Sequence, residues 1–575
     1  MTQFKKRHVP PRIQWQLEQQ GIHPLLARIY AARGVQTRSE LDYDLKSLIP
    51  PTQLTHATDA AVLLADAIEA QARILIVADY DCDGATACAV GVRALRAMAG
   101  SADDGAGAVI DYLVPNRFTY GYGLSPEIVD LAATQNPDLI VTVDNGIASI
   151  EGVARAAELG IATLITDHHL PGEELPAADC IVNPNQPGCD FPSKSLAGVG
   201  VMFYVMLALR AELRSRNWFN DEVREPNLAA LLDLVALGTV ADVVRLDRNN
   251  RILVNQGLKR MREGKLTPGL RALFRAAGRE PSKAASLYLG FMIGPRLNAA
   301  GRLADMSLGI EALITDDEAR ALNIAQQLDA LNRERKDIES GMQEQALVHL
   351  DTIDTEETAA IALFDPGWHQ GVIGILASRI KDRQHRPVFA FARGDNGELK
   401  GSGRSIPGLH LRDALDLVAK REPALLKRFG GHAMAAGATI METGFDRFRE
   451  LFAEIAQELL DPADLTRTLE TDGGLEDSFF SIQTAKILGD EVWGQGFAPP
   501  LFEDEFIVEA QRVLKDKHLK LRLRKQNLSI DAIQFNFSAS PTTTIRAAYR
   551  LAINEYNGVQ SPQLMIEYFE NQMTK

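Results

Sequence analysis

Short apolar runs alternate with longer, Ala-rich amphipathic stretches between residues 70 and 185. The runs, all rich in Val, Ile or Leu, are Ile74–Val77, Val109–Val114, Leu139–Val143, Ile161–Ile165 and Ile181–Val182. Strands that alternate with helices in this way are typical of a parallel sheet with helices packed on it. The pattern therefore predicts an α/β fold in which helices cover a parallel sheet.

Further helical and α/β patterns follow this region. Residues 227–244 are predicted to be helical, and residues 310–350 form one or two long polar helices that could bridge domains. A second α/β unit begins with the apolar run 359–364, continues through 387–392 and ends in a helix over 445–460. The chain is thus predicted to contain two α/β units linked by long helices.

The last hundred or so residues have a different period. Several short segments after residue 500 alternate apolar and polar residues, as half-buried strands do. In LKLRLRK this alternation places Lys520, Arg522 and Arg524 on one face and three leucines on the other. We expect a small β domain with a row of cations on its surface, which suits a single-strand backbone. The strand spacing of Phe535 and Phe537 favours core positions over stacking platforms.

Composition and charge narrow the classes of protein. At 575 residues, with 46% hydrophobic and 24% charged residues, the chain is long enough for several globular domains. The net charge of −15 means that a nucleic-acid partner would need a local basic groove. The four cysteines form no C-x-x-C pair, nothing at the N-terminus resembles a signal peptide, and the longest apolar stretch is shorter than the ~18 residues of a membrane span. We expect a cytoplasmic protein with reduced thiols and no membrane partner.

Metal-capable side chains directly follow three of the predicted strands. The strands end in VADYDCDG, IVTVDNG and LITDHHLP. In an open parallel sheet the ligand crevice lies beyond the carboxyl ends of the strands, so these side chains should converge. Three carboxylates within five positions repel one another unless a cation lies among them. The converging set is Asp79, Asp81, Asp83, Asp144, Asp167, His168 and His169.

Asp242 extends this set from the end of a predicted helix. A carboxylate there faces the negative end of the helix dipole, so a bound cation would explain its position. Carboxylates with imidazoles suit Mn²⁺ or Mg²⁺, and the ligands suffice for two ions about 3.5–4 Å apart, as in phosphoryl transfer. Each feature alone has a simpler explanation, a solvated or helix-capping D-x-D turn or two surface histidines. The same register at three strand ends favours the metal site.

The motifs, taken in order, resemble those of a known superfamily. DYDCDGATA, VTVDNGI, TDHHLP and ALGTVADVV are similar to the four motifs of the DHH phosphoesterases, named after the triplet at residues 167–169. GSGRS and FGGHAMAAG are similar to the substrate-binding DHHA1 domain of that superfamily. The chain length, the motif spacing, the GPRLNAAGRL segment and the added β domain resemble the members that degrade single-stranded DNA from 5′ to 3′.

The resemblance implies an order of domains. We expect a parallel-sheet DHH catalytic domain joined by long helices to a smaller α/β DHHA1 domain, followed by an OB-like β domain, a fold that binds oligonucleotides in a groove. The expected N-terminal extension, DHH domain, connecting helices, DHHA1 domain and OB-like domain span 1–70, 71–309, 310–350, 351–463 and 464–575.

The resemblance also implies a metal-ligand set. The implied ligands are Asp81, Asp83, Asp144, His168 and Asp242. Asp144 would bridge the two cations, and Asp79 would be a ligand or lie directly behind the ligands. Related small pyrophosphatases carry a ligand histidine two residues before the Asp79 position, where this chain has Val77.

The remaining candidates would act on the substrate. His169 would contact the scissile phosphate or shuttle a proton, and Asp167 would orient an imidazole or cap a turn. GPRLNAAGR would line the DNA path or form an ion-paired interdomain loop, and the glycine-rich motifs would bind phosphate or form turns. The candidate DNA and phosphate contacts outside the β domain are Arg296, Asn298, Arg302, Ser402, Arg404, Gly430, Gly431 and His432.

The implied activity is hydrolysis of single-stranded DNA with two divalent cations, Mn²⁺ or Mg²⁺, releasing 5′-mononucleotides in DNA repair and recombination. We expect a monomer, with a single-strand-binding protein and a helicase as candidate partners. Two alternatives stay open. Phosphatases of short oligoribonucleotides or cyclic-dinucleotide products share the metal motifs but are generally shorter and lack a third domain. Non-catalytic replication scaffolds have lost metal ligands, whereas this chain retains every expected one.

Overall fold

The computed structural model of the protein describes residues 2–100, 107–350 and 358–572. The chain forms two compact units. The larger unit combines Lys6–Asp329 with Thr471–Lys575, and the smaller unit combines Met1–Lys5 with Ala330–Glu470. In the described ranges no helix has both the length and the apolar character needed to cross a membrane.

A five-stranded parallel sheet lies at the centre of the larger unit. After a short strand β1 (Thr2–Lys6), the strands of this sheet are β2 (Arg73–Ala78), β3 (Val109–Leu113), β4 (Leu139–Val143), β5 (Ala162–Thr166) and β6 (Cys180–Val182). Their order in space is β3-β2-β4-β5-β6, and every neighbouring pair is parallel. The predicted parallel sheet is confirmed.

Helices cover both faces of the sheet. The helices from the N-terminus to Ile314 are α1 (Pro11–Gln19), α2 (Pro24–Ala32), α3 (Ala57–Glu69), α4 (Cys82–Ala99), α5 (Arg117–Tyr120), α6 (Pro126–Ala133), α7 (Ile150–Glu158), α8 (Gly198–Ser215), α9 (Leu232–Ala241), α10 (Arg248–Arg262), α11 (Pro268–Ala276), α12 (Ser286–Tyr288), α13 (Gly294–Leu303) and α14 (Ser307–Ile314). Leu75, Val77 and Ile140 share a core with α6 and α7. Ile76 faces α4, which packs beside α8. Because both faces are buried, the strands are apolar at nearly every position.

The predicted long polar helices are confirmed. Helix α15 (Glu318–Leu350) is 33 residues long, and it begins in the larger unit and ends in the smaller one. The GPRLNAAGRL segment is helix α13, so the interpretation of this segment as a loop is wrong. A π-helix over Leu289–Ile293 immediately precedes it.

The smaller unit is built on a mixed sheet. Its strands are β7 (Ile361–Phe364), β8 (Val388–Arg393), β9 (Glu398–Arg404), β10 (Arg428–Gly431) and β11 (Ala435–Met441), in the order β10-β11-β9-β8-β7. Only β7 and β8 are parallel among these pairs in the described chain. Its helices after α15 are α16 (Ile373–Gln384), α17 (Leu411–Arg421) and α18 (Phe445–Leu459). Phe389, Phe391, Phe448 and Phe452 pack together in its core. Strand β12 (Arg467–Thr471) pairs with β1.

A closed five-stranded barrel completes the larger unit. After α19 (Ile482–Asp490), its strands are β13 (Phe502–Leu514), β14 (His518–Lys525), β15 (Leu528–Gln534), β16 (Thr544–Tyr556) and β17 (Val559–Asn571). They close in the order β13-β14-β15-β17-β16. Leu519, Leu521 and Leu523 are buried, as the alternation predicts. The OB-like β domain is confirmed as a fold, while the five domain limits proposed from the sequence stay predictions.

The aromatic residues after β15 correct one expectation. Phe535 is 51% exposed and its ring packs edge-on against His518, so its predicted core position is wrong. Phe537 is half-buried against the ring of Phe569. Both residues follow the end of β15 at Gln534, and the strand alternation that favours core positions no longer applies there.

Candidate metal centre

Three carboxylates follow β2 and begin α4. Asp81 caps this helix, because its carboxylate accepts hydrogen bonds from the backbone N–H groups of Asp83 and Gly84 at 2.8 and 3.0 Å. Asp83 is fully buried and accepts hydrogen bonds from the N–H groups of Gly198 and Val199, at the start of α8. Asp79 is also buried. The N-termini of two helices thus fix Asp81 and Asp83.

The ends of β4 and β5 bring further ligands to the same edge of the sheet. Asp144, directly after β4, is buried. Asp167, His168 and His169 directly follow β5. The Nε2 atom of His168 lies 3.1 Å from Oδ1 of Asp144, and 3.5 Å from Oδ2 of Asp242, the C-cap residue of α9. The structure therefore brings together residues from four separate segments.

These side chains form three overlapping groups that could hold metal ions. In each group the ligand atoms lie within 4.8 Å of one another: Asp79, Asp81 and Asp144; Asp83, His168 and Asp242; Asp144, His168 and His169. Asp144 and His168 each belong to two groups. In addition, Asp144 Oδ1 is buried and accepts no hydrogen bond within the described chain. Such an atom, among oxygen and imidazole ligands, fits a divalent cation.

Burial and crowding raise the pKa values of the carboxylates. Burial first, and then neighbouring carboxylates, raise the pKa values of Asp79, Asp83 and Asp144 well above their ordinary value. Burial and the charge of Asp81 raise the pKa of Asp242 to about 7. Without a cation each of these groups therefore keeps its proton to a higher pH than an ordinary aspartic acid does, and a bound cation would displace that proton.

Asp167 favours the cationic form of His169. Burial lowers the pKa of His169, but the hydrogen bond and charge of Asp167 outweigh burial and raise this pKa to about 9. Its Nδ1 lies 2.7 Å from Asp167 Oδ1, which also accepts hydrogen bonds from the N–H groups of His168 and His169. The other oxygen of Asp167 accepts a hydrogen bond from Ile147 N–H. Asp167 therefore fixes the ring and its charge.

Three residues outside the sequence motifs hold the two histidines. The hydroxyl of Tyr122 donates a hydrogen bond to the backbone oxygen of Asp144 and lies 3.2 Å from Nδ1 of His169. The amides of Asn183 and Asn185 donate hydrogen bonds to the backbone oxygens of His169 and His168, respectively. Tyr122 lies between two glycines in the loop GYGLS. Those glycines were the one feature of the sequence that could have marked Tyr122 as functional.

Helix α13 supports the first motif. Asn298 Oδ1 accepts a hydrogen bond of 2.7 Å from the backbone N–H of Cys82, between Asp81 and Asp83. Gly301 lies against the backbone of Tyr80, where a Cβ atom would approach the carbonyl oxygen to 1.9 Å. Arg296 forms an ion pair of 2.8 Å with Asp329. Burial raises the pKa of Tyr80, and the nearby charge of Arg302 offsets a small part of this rise. Asn298 thus positions a metal-binding loop.

The smaller unit brings its predicted phosphate contacts together on adjacent strands. Ser402 on β9 lies opposite Gly437 on β11, which in turn lies opposite Gly430 on β10. Arg404 donates hydrogen bonds to Ser402 Oγ and to Gly403 O, and burial lowers the pKa of its guanidinium. No carboxylate lies within 4.0 Å of Arg404 in the described ranges. A desolvated cation of this kind fits an anionic ligand.

The remaining members of this set lie on the same hairpin. Gly431 pairs with Ala436, and a Cβ atom at Gly431 would lie 2.4 Å from the Cα of Ala436. The backbone N–H of His432 donates a hydrogen bond to the oxygen of Ala435. Gly431 therefore allows the two strands to approach each other closely, whereas a Cβ atom at Gly430 would meet nothing within 4 Å.

The cations of β14 share one face, as predicted, but carboxylates accompany them. Lys520 and Arg522 lie 3.3 and 2.7 Å from the carboxylate of Asp531 on β15. Arg524 lies 3.1 Å from Glu509 on β13. Two carboxylates therefore offset much of the positive charge of this row.

Comparisons with known proteins agree with the site. The chain matches the DHH family, N-terminal domain, over residues 73–239, the DHHA1 domain over 356–458 and the RecJ OB domain over 471–568. It is 50% identical to the single-stranded-DNA-specific exonuclease RecJ of Salmonella typhimurium and 49% identical to that of Escherichia coli, over 95% of each chain in both cases.

Solved structures give the same result. The structure is similar to the crystal structure of RecJ in complex with Mn²⁺ from Thermus thermophilus, with a TM-score of 0.82 and 30% identity, over 100% of this chain and 80% of that one. The Mg²⁺ complex of the same protein gives a TM-score of 0.76 at 28% identity, over 100% of this chain and 79% of that one. From its sequence and from its fold, the chain belongs to the RecJ family of DHH phosphoesterases.

Proposed function

We propose that this protein is a single-stranded-DNA-specific exonuclease that degrades DNA from 5′ to 3′ and releases 5′-mononucleotides, in DNA repair and recombination. The observation that carries the proposal is the set of three overlapping ligand groups around Asp144 and His168. This set of ligands occurs in a chain whose sequence is about 50% identical to proteins that are named for this activity, over 95% of its length.

Two divalent cations, Mn²⁺ or Mg²⁺, fit this site. Asp79, Asp81 and Asp144 would hold one, and Asp83, His168 and Asp242 the other, with Asp144 between them. When bound, such ions lower the pKa of water and neutralise charge on a phosphate. The chain itself fixes one member of each ligand group, because Asp83 is held by the N-terminus of α8 and Asp81 caps α4.

His169 is the proposed phosphate contact and proton donor. Its ring is fixed by Asp167, whose hydrogen bond and charge favour the cationic form, while the hydroxyl of Tyr122 lies against it. A fixed imidazolium can donate a hydrogen bond to a phosphate oxygen and a proton to the departing oxygen. Asp167 is then a positioning residue.

The other predicted contacts would bind the rest of the strand. Arg404 and Ser402 suit a phosphate because no carboxylate neutralises the guanidinium in the described chain. Five further residues stay candidates for the same strand, as do the cations of β14 and His432: Arg296, Asn298, Arg302, Gly430 and Gly431. A monomeric state, a cytoplasmic location, and a single-strand-binding protein and a helicase as partners also stay predictions.

Digestion of end-labelled DNA tests the proposal. We expect a 5′-labelled single strand to release labelled mononucleotide with Mn²⁺ or Mg²⁺, and not with excess chelator. Blunt duplex should resist digestion. A preparation of the Asp144→Asn variant, purified in parallel, controls for contaminating nucleases. Equal rates on blunt duplex and single strand, full activity in chelator, or release that starts at the 3′ end would contradict the proposal.

A further inference from the structure

A segment between α12 and α13 presents a large aromatic side chain to solvent. In the π-helix over Leu289–Ile293, the first and last residues are fully buried, whereas Phe291 is 74% exposed. π-Helices are rare and occur frequently at functional sites. Leu287, just before the π-helix, is exposed as well. The segment therefore combines an unusual backbone with an apolar surface.

This segment packs directly beside the candidate metal centre. A Cβ atom at Gly290 would lie 3.4 Å from Val240 Cγ1, and one at Gly294 would lie 3.1 Å from the Cβ of Ala241. Ala241 is the last residue of α9 and immediately precedes Asp242. The two glycines thus fix the π-helix against the end of the helix that carries a proposed metal ligand.

The tip of a barrel hairpin contacts the chain shortly before this segment, at Lys283. Lys283 Nζ forms an ion pair of 3.0 Å with Glu555 Oε2, at the end of β16. The following residue, Tyr556, is 72% exposed and pairs with the exposed Val559. The turn between them, Asn557-Gly558, has positive φ at both positions, which gives a tight two-residue hairpin. Tyr556 is therefore presented on a well-defined tip.

Cations without carboxylate partners accompany these aromatics. The guanidinium of Arg279 lies 5.4 Å from the ring centroid of Tyr288, and its Nε lies 3.1 Å from Met292 Sδ. In the described chain no carboxylate lies within 4.0 Å of Arg279 or of the exposed Arg275. The cations of β14, in contrast, are paired with Asp531 and Glu509. In a chain of net charge −15, available cations beside exposed aromatics fit single-stranded nucleic acid.

We propose that Phe291 is a stacking platform for a base of the single strand next to the metal centre, with Tyr556 as a second aromatic contact and Arg279 as a phosphate contact. This inference rests on the proposed function and names a part of its DNA path. Stacking needs no particular base, so the platform would grip any sequence. It would also favour single strands, because the bases of a duplex are already stacked.

Binding of oligothymidylate in EDTA, where no hydrolysis is expected, tests the platform. We expect Phe291→Ala to weaken binding about tenfold, the equivalent of about 1.4 kcal/mol and within the range for loss of one stacked base. Phe291→Trp should bind like the wild type. On a strand with abasic sites in place of its bases, Phe291→Ala and the wild type should bind equally, because nothing can stack. Arg279→Gln should lower the log–log salt slope by about 0.7.

Trp15→Ala, which removes an exposed aromatic from α1, is the matched control and should not change binding. Unchanged binding by Phe291→Ala would overturn the platform and leave this face to a protein partner. An equal loss on the normal and the abasic strand would also overturn it, since the effect would then be structural. Failure of the wild type to degrade any single strand would instead contradict the proposed function, which the binding assay does not measure.

Discussion

The backbone conformation of Asp144 and the space beside it suit its place in the candidate metal centre. Its φ of 62° is left-handed, which is uncommon for a residue other than glycine but is tolerated best by Asp and Asn. The left-handed backbone at Asp144 ends β4 and points the carboxylate at the other ligands. Gly198 makes room for it, because a Cβ atom there would lie 2.6 Å from the Cβ of Asp144. Backbone strain of this kind is typical of functional sites.

Asp144→Asn should abolish activity and preserve the fold. Asn keeps the shape and tolerates the left-handed backbone, but it removes the charge that bridging two cations requires. We expect hydrolysis of single strands to fall at least about 1,000-fold, or about 4 kcal/mol in the barrier. The rise in melting temperature that Mn²⁺ gives the wild type should largely disappear. Asp130→Asn, which removes a carboxylate that is paired with Arg155, is the control. Retained activity, or an undiminished response to Mn²⁺, would count against the two-metal site.

At the scale of elements, the sequence predicted what depends on local patterns. The strands were predictable because each is an apolar run, and the ligands because they directly follow these runs. Tyr122 and Asn183 were missed because they come from loops, and only the folded chain brings them to the histidines. The alternation of residues predicted that the cations of β14 share one face, but it could not predict the carboxylate that pairs with Arg522. This pairing depends on the register that sets Arg522 opposite Asp531.

This register leads to a prediction for the β14 row. If the row tracks a DNA backbone, Asp531→Asn should tighten binding of long single strands and steepen its salt dependence, because Lys520 and Arg522 lose their shared carboxylate. Replacing Lys520, Arg522 and Arg524 with Gln should have the opposite effect, with at most about 0.7 lost from the slope per contact. Binding titrations at several salt concentrations measure both. Unchanged affinity and slope in both variants would make the row structural.

The linker between α19 and the barrel contains a carboxyl group with a raised pKa. Burial raises the pKa of Glu491 above its ordinary 4.5, and a hydrogen bond with Tyr30 offsets part of this. When the pKa of a carboxyl is higher in the folded state than in the unfolded state, the free energy of unfolding falls as the pH rises from the unfolded pKa towards the raised value. The raised pKa of Glu491 therefore makes the fold less stable at neutral pH than it is in acid.

Glu491→Gln should stabilise the protein at neutral pH but not in acid. The amide oxygen can still accept the Tyr30 hydrogen bond, and it cannot ionise. Each unit by which the pKa is raised corresponds to about 1.4 kcal/mol. We expect the melting temperature of the variant to exceed that of the wild type at neutral pH, and the difference to shrink as the pH falls towards 4.5. Glu174→Gln, at an exposed position, should show no such trend. A difference that is constant with pH would mean that ionisation is not its cause.

At the scale of the whole molecule, the barrel belongs to the same compact unit as the parallel sheet, although the smaller unit separates them in sequence. Asp472, shortly before the barrel, lies 2.8 Å from Nη1 of Arg33 at the end of α2. Both side chains are buried, and Asp472 also accepts a hydrogen bond from the N–H of Leu501. Arg33 Nε donates to the oxygen of Ala498. This pair ties the N-terminal helices to the first strand of the barrel.

Removing one partner of this pair should be far more harmful than removing both. Asp472→Ala leaves the Arg33 guanidinium buried without its carboxylate, which typically costs about 3–5 kcal/mol of unfolding free energy. The double variant Arg33→Met with Asp472→Ala should recover much of this loss, since the buried guanidinium is then gone and only the more exposed Arg7, 3.3 Å from Asp472, loses this carboxylate. Urea unfolding followed by tryptophan fluorescence measures the effect, because Trp493 lies 5.3 Å from the Arg33 guanidinium. If the barrel also holds DNA, Asp472→Ala should weaken binding of long strands and spare hydrolysis of dinucleotides, which need only the metal centre and its neighbours. A loss below about 1 kcal/mol in Asp472→Ala, or no recovery in the double variant, would show that the pair does not fasten the barrel to the sheet.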